Sequence, residues 1–276
     1  MLVLFDGNNL VHRLWHAMQS LTTKDGRVSG VVFGVLREIL SCGDSAPVFC
    51  WDSPHAKERR RKIWSGYKIR RVTADTAVFD EIPKAKEIIA SLGLVQLECP
   101  GLEADDVIGL AAGWGDGEAV ILSTDMDLAQ LVTDDVLLLR AVRGRKQYIS
   151  PKLLKQEYGV TPGQWVRFRA MTGDTSDGIP GIPGIGPVKA ARIVNSGEDV
   201  PSCCRDLVAR NEKLIYIPRR LEEYRREPDI YTRAKTLNSV LSSGRRRSMD
   251  LYNEFVRLCA GYELKTMLER RMEFWR

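Results

Sequence analysis

The sequence predicts an α/β fold: a mostly parallel central sheet flanked by helices, followed by a helical C-terminal region. Three observations predict it. Short apolar, partly β-branched runs recur at LVLF (2–5), PVFCW (47–51), LVQL (94–97), AVIL (119–122) and VLLL (136–139), each the right length for a buried strand. Amphipathic stretches separate them, and strands alternating with helices favour a parallel sheet covered on both faces. Past about residue 150 the strand signals stop and the pattern becomes helical.

In chain order, LVLF is the first strand. VFGVLREIL (32–40) has helical spacing ahead of PVFCW, and PKAKEIIASLG (83–93) has it ahead of LVQL. The reading divides the chain into residues 1–150 and 151–276. With 276 residues, 44% of them hydrophobic and 28% charged, there is enough apolar surface for a real core. No window approaches the roughly 18 uninterrupted apolar residues of a membrane span, and MLVLFDGNNLVHRLW lacks the basic start and cleavage site of a signal peptide. A cytoplasmic protein with no membrane partner is expected. Six scattered cysteines without a C-x-x-C pair, and only three histidines, argue against zinc. The net charge of +5 is uneven: 18 Lys/Arg against 20 Asp/Glu in residues 1–150, but 17 against 11 in 201–276. A basic C-terminal third points to an anionic partner.

The acids fall where the strands end. LVLF runs into Asp6 and PVFCW into Asp52; LVQL leads to Glu103, Asp105 and Asp106; AVIL leads to Asp125 and Asp127. In open parallel sheets ligands sit beyond the carboxyl ends of the strands, so seven carboxylates are expected at one edge. Asp174 and Asp177, in GDTSD, add a further pair. A single Asp after a strand is more often a helix N-cap than a ligand; the joint pattern is what points to cations. Oxygen donors without histidine or thiol suit Mg²⁺ or Mn²⁺, and nine acids exceed the needs of one ion, so two or more ions are expected.

GIPGIPGIGPVKAARIV places Gly181, Gly184 and Gly186 among prolines, with Pro187 suited to the first turn of a helix. Such a hairpin between helices offers backbone N–H groups to a phosphodiester. Lys57–Lys62 and Tyr67–Arg71 hold eight basic residues against one acidic between 57 and 71, interleaved with Trp64 and Tyr67. Charge runs are usually solvated faces; this one sits close to the acids and carries rings able to stack on bases. GRRRS (244–248) reads as a surface loop that touches DNA backbone.

The motifs DGNNLVHR (6–13), Asp52, YKIRR (67–71), LEADD (102–106), STDMD (123–127) and GDTSDGIPGIPGIGPVKAA (173–191) together resemble the flap endonucleases and 5′→3′ exonucleases, including the N-terminal nuclease domain of bacterial DNA polymerase I. The resemblance covers nearly the whole chain. It implies a PIN-like nuclease core over 1–150 with a basic arch at about 57–90, and a DNA-binding region over 151–276 with a helix–hairpin–helix at 173–194. It further implies that Asp6, Asp52, Glu103, Asp105 and Asp106 ligate a first metal cluster, and that Asp125, Asp127, Asp174 and Asp177 surround a second metal. Lys68 and Arg71 would contact the scissile phosphate, with Asp6 and Asp106 beside them in catalysis, and Tyr67 would stack on a base. Arg13, Arg60, Gly181, Gly184, Gly186 and Lys189 would bind DNA, and the hairpin carbonyls would hold K⁺. Val188 stands where many relatives carry Lys. The activity implied is structure-specific hydrolysis of DNA at 5′ flaps, nicks and free ends, by a monomer, with RNA–DNA hybrid a further substrate. A PIN-type RNase and a non-catalytic binder of branched DNA are the alternatives.

Overall fold

The computed structural model describes residues 1–43, 45–69, 76–114, 117–142, 145–242, 249–265 and 267. Six strands form one sheet: β1 (Leu2–Asp6), β2 (Ala46–Trp51), β3 (Val95–Glu98), β4 (Ala119–Leu122), β5 (Val136–Val142) and β6 (Arg145–Ile149), in the order β3-β2-β1-β4-β5-β6. The first five pair in parallel, and β6 runs antiparallel to β5. The order reverses between β1 and β4, the switch point where such sheets open a ligand crevice.

Both faces of the sheet are buried, which is why the strands read as continuous apolar runs. Val3, Phe5, Phe49 and Trp51 face a layer built from α1 (Gly7–Met18), α2 (Gly30–Ser41) and α4 (Val78–Ser91). Phe5 and Phe49, opposite one another in the β1–β2 register, stack at 4.7 Å. Leu4, Val48, Ile121 and Leu138 face the other layer, which begins with α5 (Ala104–Trp114). The short α3 (Glu58–Arg61) lies in the β2–α4 connection.

All five expected strands are present. β6 was not read from sequence: RKQYI is charged, and only Ile149 of its five residues is buried, so an exposed edge strand carries little apolar signal. α4 starts at Val78, upstream of the expected Pro83, because Val78 and Glu81 bury a turn that precedes the proline. Of residues 57–90, those from Val78 onward form a core helix whose Ala85, Ile88 and Ile89 pack beneath α1 and α2.

After residue 150 the described chain is helical: α6 (Pro151–Tyr158), α7 (Trp165–Thr172), α8 (Pro187–Ser196), α9 (Arg205–Ile215), α10 (Pro228–Ser242) and α11 (Met249–Gly261). Ser150 caps α6 by accepting from the Leu153 amide. Trp165, Phe168, Met171, Ile193, Leu214 and Leu237 belong to the same apolar cluster as Leu4 and Leu138, so this helical region packs on the sheet's own core. α11 returns to the opposite layer through Phe255 and Cys259. No helix among the described residues is long and apolar enough to cross a membrane.

Candidate active site

Four aspartates converge on a cleft of about 940 Å³ at the carboxyl edge of the sheet: Asp6, Asp52, Asp105 and Asp125. Each is placed by local bonding. Asp6 ends β1 and caps α1, its Oδ1 accepting from the Asn9 amide at 3.0 Å and its Oδ2 from Ser123 Oγ at 2.8 Å. Asp52 follows β2; its Oδ1 accepts from the Ala104 amide at 2.8 Å, and its own amide donates to Asn8 Oδ1 at 2.9 Å. Asp105 sits in the first turn of α5. Asp125 follows β4, accepts from the Asp127 amide at 2.8 Å and donates its amide to Ser123 Oγ at 3.1 Å. The capping role and the cleft role therefore coexist at Asp6.

Burial and neighbouring acids make Asp6 and Asp105 costly to ionise. Burial, with Asp52 and Asp125 nearby, pushes the Asp6 carboxyl up to about 7. Burial, then Asp125 and Asp6, raises Asp105 well above the carboxylate range.

A second group comes from a different direction. Asp127 opens a short 3₁₀ turn after β4, while Asp174 and Asp177 follow α7; one oxygen from each lies within 4.8 Å of the others. Burial and Asp125 lift Asp127 to about 7 against the pull of Arg169. Arg169, on α7, donates from Nε to Asp127 Oδ1 at 2.9 Å and from Nη2 to Asp174. Asp174 is lowered, with burial opposed by the Ser176 hydroxyl and by Arg169. Seven carboxylates, of which Asp6, Asp105 and Asp127 are held where burial and neighbouring acids disfavour charge, offer only hard oxygen donors and fit divalent cations.

Two other acids, Glu103 and Asp106, are paired with the chain's own cations in this structure. Glu103 is 1% exposed and Asp106 is fully buried. Both Asp106 oxygens accept from Arg60, at 2.8 and 2.9 Å, and Oδ2 also accepts from the Glu103 amide at 3.2 Å. Glu103 accepts from Lys68 Nζ at 2.6 Å through Oε1, and from Arg60 at 2.6 Å and Tyr67 Oη at 3.0 Å through Oε2. Against burial, Lys68 and Arg60 hold Glu103 down at about 2. The protein's own cations thus compensate two of the three crowded carboxylates, and only Asp105 lines the cleft.

The same network engages Arg60 and Tyr67, two of the expected DNA contacts. Arg60 is 3% exposed because its guanidinium is spent on Asp106 and Glu103. Tyr67 is 2% exposed, its ring in the core and its hydroxyl on Glu103. The cleft is lined instead by Lys57, Arg61 and Lys68. Sequence named the basic run but not which members face the cleft, because that depends on how α3 turns.

Lys68 is held at φ 50°, with its amide donating to the Asp177 carbonyl at 2.8 Å and its Nζ 3.7 Å from the Asp177 carboxylate. Burial opposes its charge, but Tyr67, Glu103 and Asp177 keep it well above the ordinary lysine value. Trp64 Nε1 donates to the Gly178 carbonyl at 3.2 Å. A Cβ on Gly178, at φ 71°, would lie 2.6 Å from the Gly66 carbonyl oxygen. The basic segment and the GDTSDG loop are therefore joined at the cleft.

In the hairpin, Ile179, Ile182 and Ile185 are buried, while Gly184, Gly186 and Lys189 are exposed and Val188 is 88% exposed. Gly181 is a packing residue: a Cβ there would lie 2.4 Å from the Thr172 carbonyl oxygen. Arg13 Nη2 pairs with the buried Glu38 at 3.3 Å and stays 28% exposed. Arg71 and the GRRRS stretch lie outside the described residues. Asn9, Ser123 and Arg169, absent from the sequence reading, are polar residues whose roles appear only once distant segments meet.

Residues 1–159 match the family described as 5′-3′ exonuclease, N-terminal resolvase-like domain. The chain belongs to the 5′-3′ exonuclease family. Within it, the chain is 34% identical over 212 residues to the thermostable DNA polymerase I of Thermus aquaticus, covering 74% of this chain and 25% of that one. It is 34% identical over 200 residues to the 5′-3′ exonuclease of Aquifex aeolicus, covering 70% of this chain and 68% of that one. The chain thus spans about a quarter of the length of the polymerases it matches. In fold it is similar to the T5 5′-exonuclease solved with zinc, at TM-score 0.64, 19% identity and coverage of 87% and 98%. Flap endonuclease-1 from Methanococcus jannaschii shares the fold at TM-score 0.54 and 16% identity, with coverage of 88% and 93%.

Proposed function

We propose that the chain is a divalent-metal-dependent 5′ nuclease that hydrolyses DNA phosphodiesters at 5′ flaps, nicks and free 5′ ends during replication and repair. The observation that carries this reading is the meeting of Asp6, Asp52, Asp105 and Asp125 with Asp127, Asp174 and Asp177, beside Lys68, at the switch point of the sheet. The Aquifex 5′-3′ exonuclease supports the polarity of attack, and the T5 5′-exonuclease with bound zinc supports a metal requirement.

In this reading the four cleft aspartates hold one ion and the Asp127–Asp174–Asp177 group another, Mg²⁺ or Mn²⁺ being the hard cations suited to oxygen donors. Bound there, the ions supply charge neutralisation at the phosphate and acidification of the attacking water. Lys68 adds fixed positive charge at the cleft floor, worth most as the phosphate gains charge, with Arg71 in the same role. Lys57 and Arg61 hold the backbone of the incoming strand. Gly184, Gly186 and Lys189 present exposed donors to duplex phosphates, with K⁺ on the hairpin carbonyls, and selection follows shape rather than base edges. A cytoplasmic monomer that also accepts RNA–DNA hybrid completes the reading.

The test is cleavage of a 5′-labelled single-flap DNA with and without Mg²⁺, beside a substrate whose 5′ end is blocked. Cutting near the junction that EDTA abolishes supports the reading. Tight, salt-sensitive binding with no cutting at any Mg²⁺ or Mn²⁺ concentration sinks it in favour of a branched-DNA binder.

A further inference from the structure

Asn9 stands on the first turn of α1, three residues past Asp6, and bonds in two directions. Its backbone amide donates to Asp6 Oδ1 at 3.0 Å. Its side chain closes a reciprocal pair with Thr124: Nδ2 donates to Thr124 Oγ1 at 2.7 Å, and Oδ1 accepts from the Thr124 amide at 3.2 Å. Thr124 directly precedes Asp125, which in turn accepts from the Asp127 amide. One residue thereby ties the carboxylate ending β1 to the turn that carries Asp125 and Asp127.

A polar pair between neighbouring strands is often only a staple. Here the β1–β4 ladder already fixes the strands, running from Leu2–Ala119 to Phe5–Leu122. The Asn9–Thr124 pair begins where that ladder stops, at the point where the two strands diverge into separate acidic turns. Strand pairing does not require it; alongside the Ser123 bond to Asp6, it is a second side-chain tie between the two acidic turns.

We propose that Asn9, acting through Thr124, is a positioning residue that sets the distance between the Asp6 carboxylate and the Asp125–Asp127 turn, and so the spacing of two cation subsites. The proposal rests on the metal-dependent reading given above. Partners that orient ligands typically cost about 10- to 100-fold in metal affinity when removed, and the loss here is expected on the second ion to bind, whose site depends on how Asp127 stands relative to the ion held by Asp6 and Asp125.

The experiment titrates the full chain with Mn²⁺, following free ion by electron paramagnetic resonance, alongside metal-free melting. The unaltered protein is expected to take up more than one ion. Asn9→Ala and Thr124→Val should each weaken the second by about tenfold or more; Thr124→Ser, which keeps the hydroxyl and amide, should match the unaltered protein. Thr124→Val in the Asn9→Ala background should add nothing further, the mark of one shared interaction. If Asn9→Ala does not fold, Thr124→Val carries the test. Isotherms unchanged in these variants, with only melting lowered, overturn the proposal and leave a staple. No Mn²⁺ uptake by the unaltered protein instead removes the metal-dependent reading, and the positioning role with it.

Discussion

At the scale of single residues, neighbouring carboxylates in LEADD carry opposite consequences. Asp105 is an acid that the fold holds at a cost, raised well above its ordinary value by burial and by Asp125 and Asp6. Asp106 is neutralised by a two-pronged bond to Arg60. Asp105→Asn should leave the metal-free protein as stable or more stable while abolishing Mn²⁺ uptake at the cleft. Asp106→Asn leaves a buried guanidinium undercompensated and should cost about 3–5 kcal/mol of folding stability. Urea melts and Mn²⁺ titrations of the two variants distinguish them; equal loss of stability would show that Asp105 is also ion-paired. The pH behaviour follows from Asp6. Its folded value of about 7 lies above the unfolded 3.8, so the folded state favours the protonated form. That contribution is present below pH 3.8 and is lost as pH rises through 7. The metal-free melting temperature should fall across this window, Asp6→Asn should flatten the fall, and divalent ions should reverse it at pH 8. Which acid would be neutralised by a side chain was not legible in the sequence. Arg60 and Lys68 lie 46 and 35 positions from their carboxylate partners, and only the turn of α3 brings them there.

Elements were legible to the extent that they bury an apolar face. β1 to β5 announce themselves because both of their faces are covered, whereas β6 has one buried residue and gives no such signal. Pro83 hides the start of α4: the amphipathic pattern legible in sequence begins there, while the helix begins at Val78. The hairpin was recognisable from its glycines, but their uses differ. Gly181 sits against backbone, with the Thr172 carbonyl oxygen 2.4 Å from any added Cβ, while Gly186 at φ −85° has open space around it. Gly181→Ala must displace the end of α7 and should lower the melting temperature by several degrees. Gly186→Ala should melt like the unaltered protein and, if the proposed phosphate contact lies at its exposed backbone, weaken duplex DNA binding. Binding at two salt concentrations checks the second outcome; full affinity in Gly186→Ala would move the duplex contact away from the hairpin.

At the scale of the whole molecule, the acids come from both parts of the chain. Asp6, Asp52, Asp105, Asp125 and Asp127 belong to the α/β part; Asp174 and Asp177 hang from α7 in the helical part, joined to the basic segment through Lys68 and Gly178. The sequence reading placed a boundary near residue 150, where strands indeed give way to helices. Yet Trp165, Met171, Ile193 and Leu214 share one core with Leu4, Val48 and Leu138. Composition could show the change of element type but not this sharing, because apolar positions on a helix do not declare their partners. If the core is common, unfolding should be a single cooperative transition, and an ion gripped by Asp127, Asp174 and Asp177 should shift all of it. Saturation at 100 times the dissociation constant would add about 2.7 kcal/mol to the folded state. Calorimetry with and without Mn²⁺ should therefore show one peak that moves intact. Asp174→Asn should shrink the movement without splitting the peak. Two peaks, of which metal moves only one, would instead mean that the helical part folds alone and that the cleft is assembled by docking.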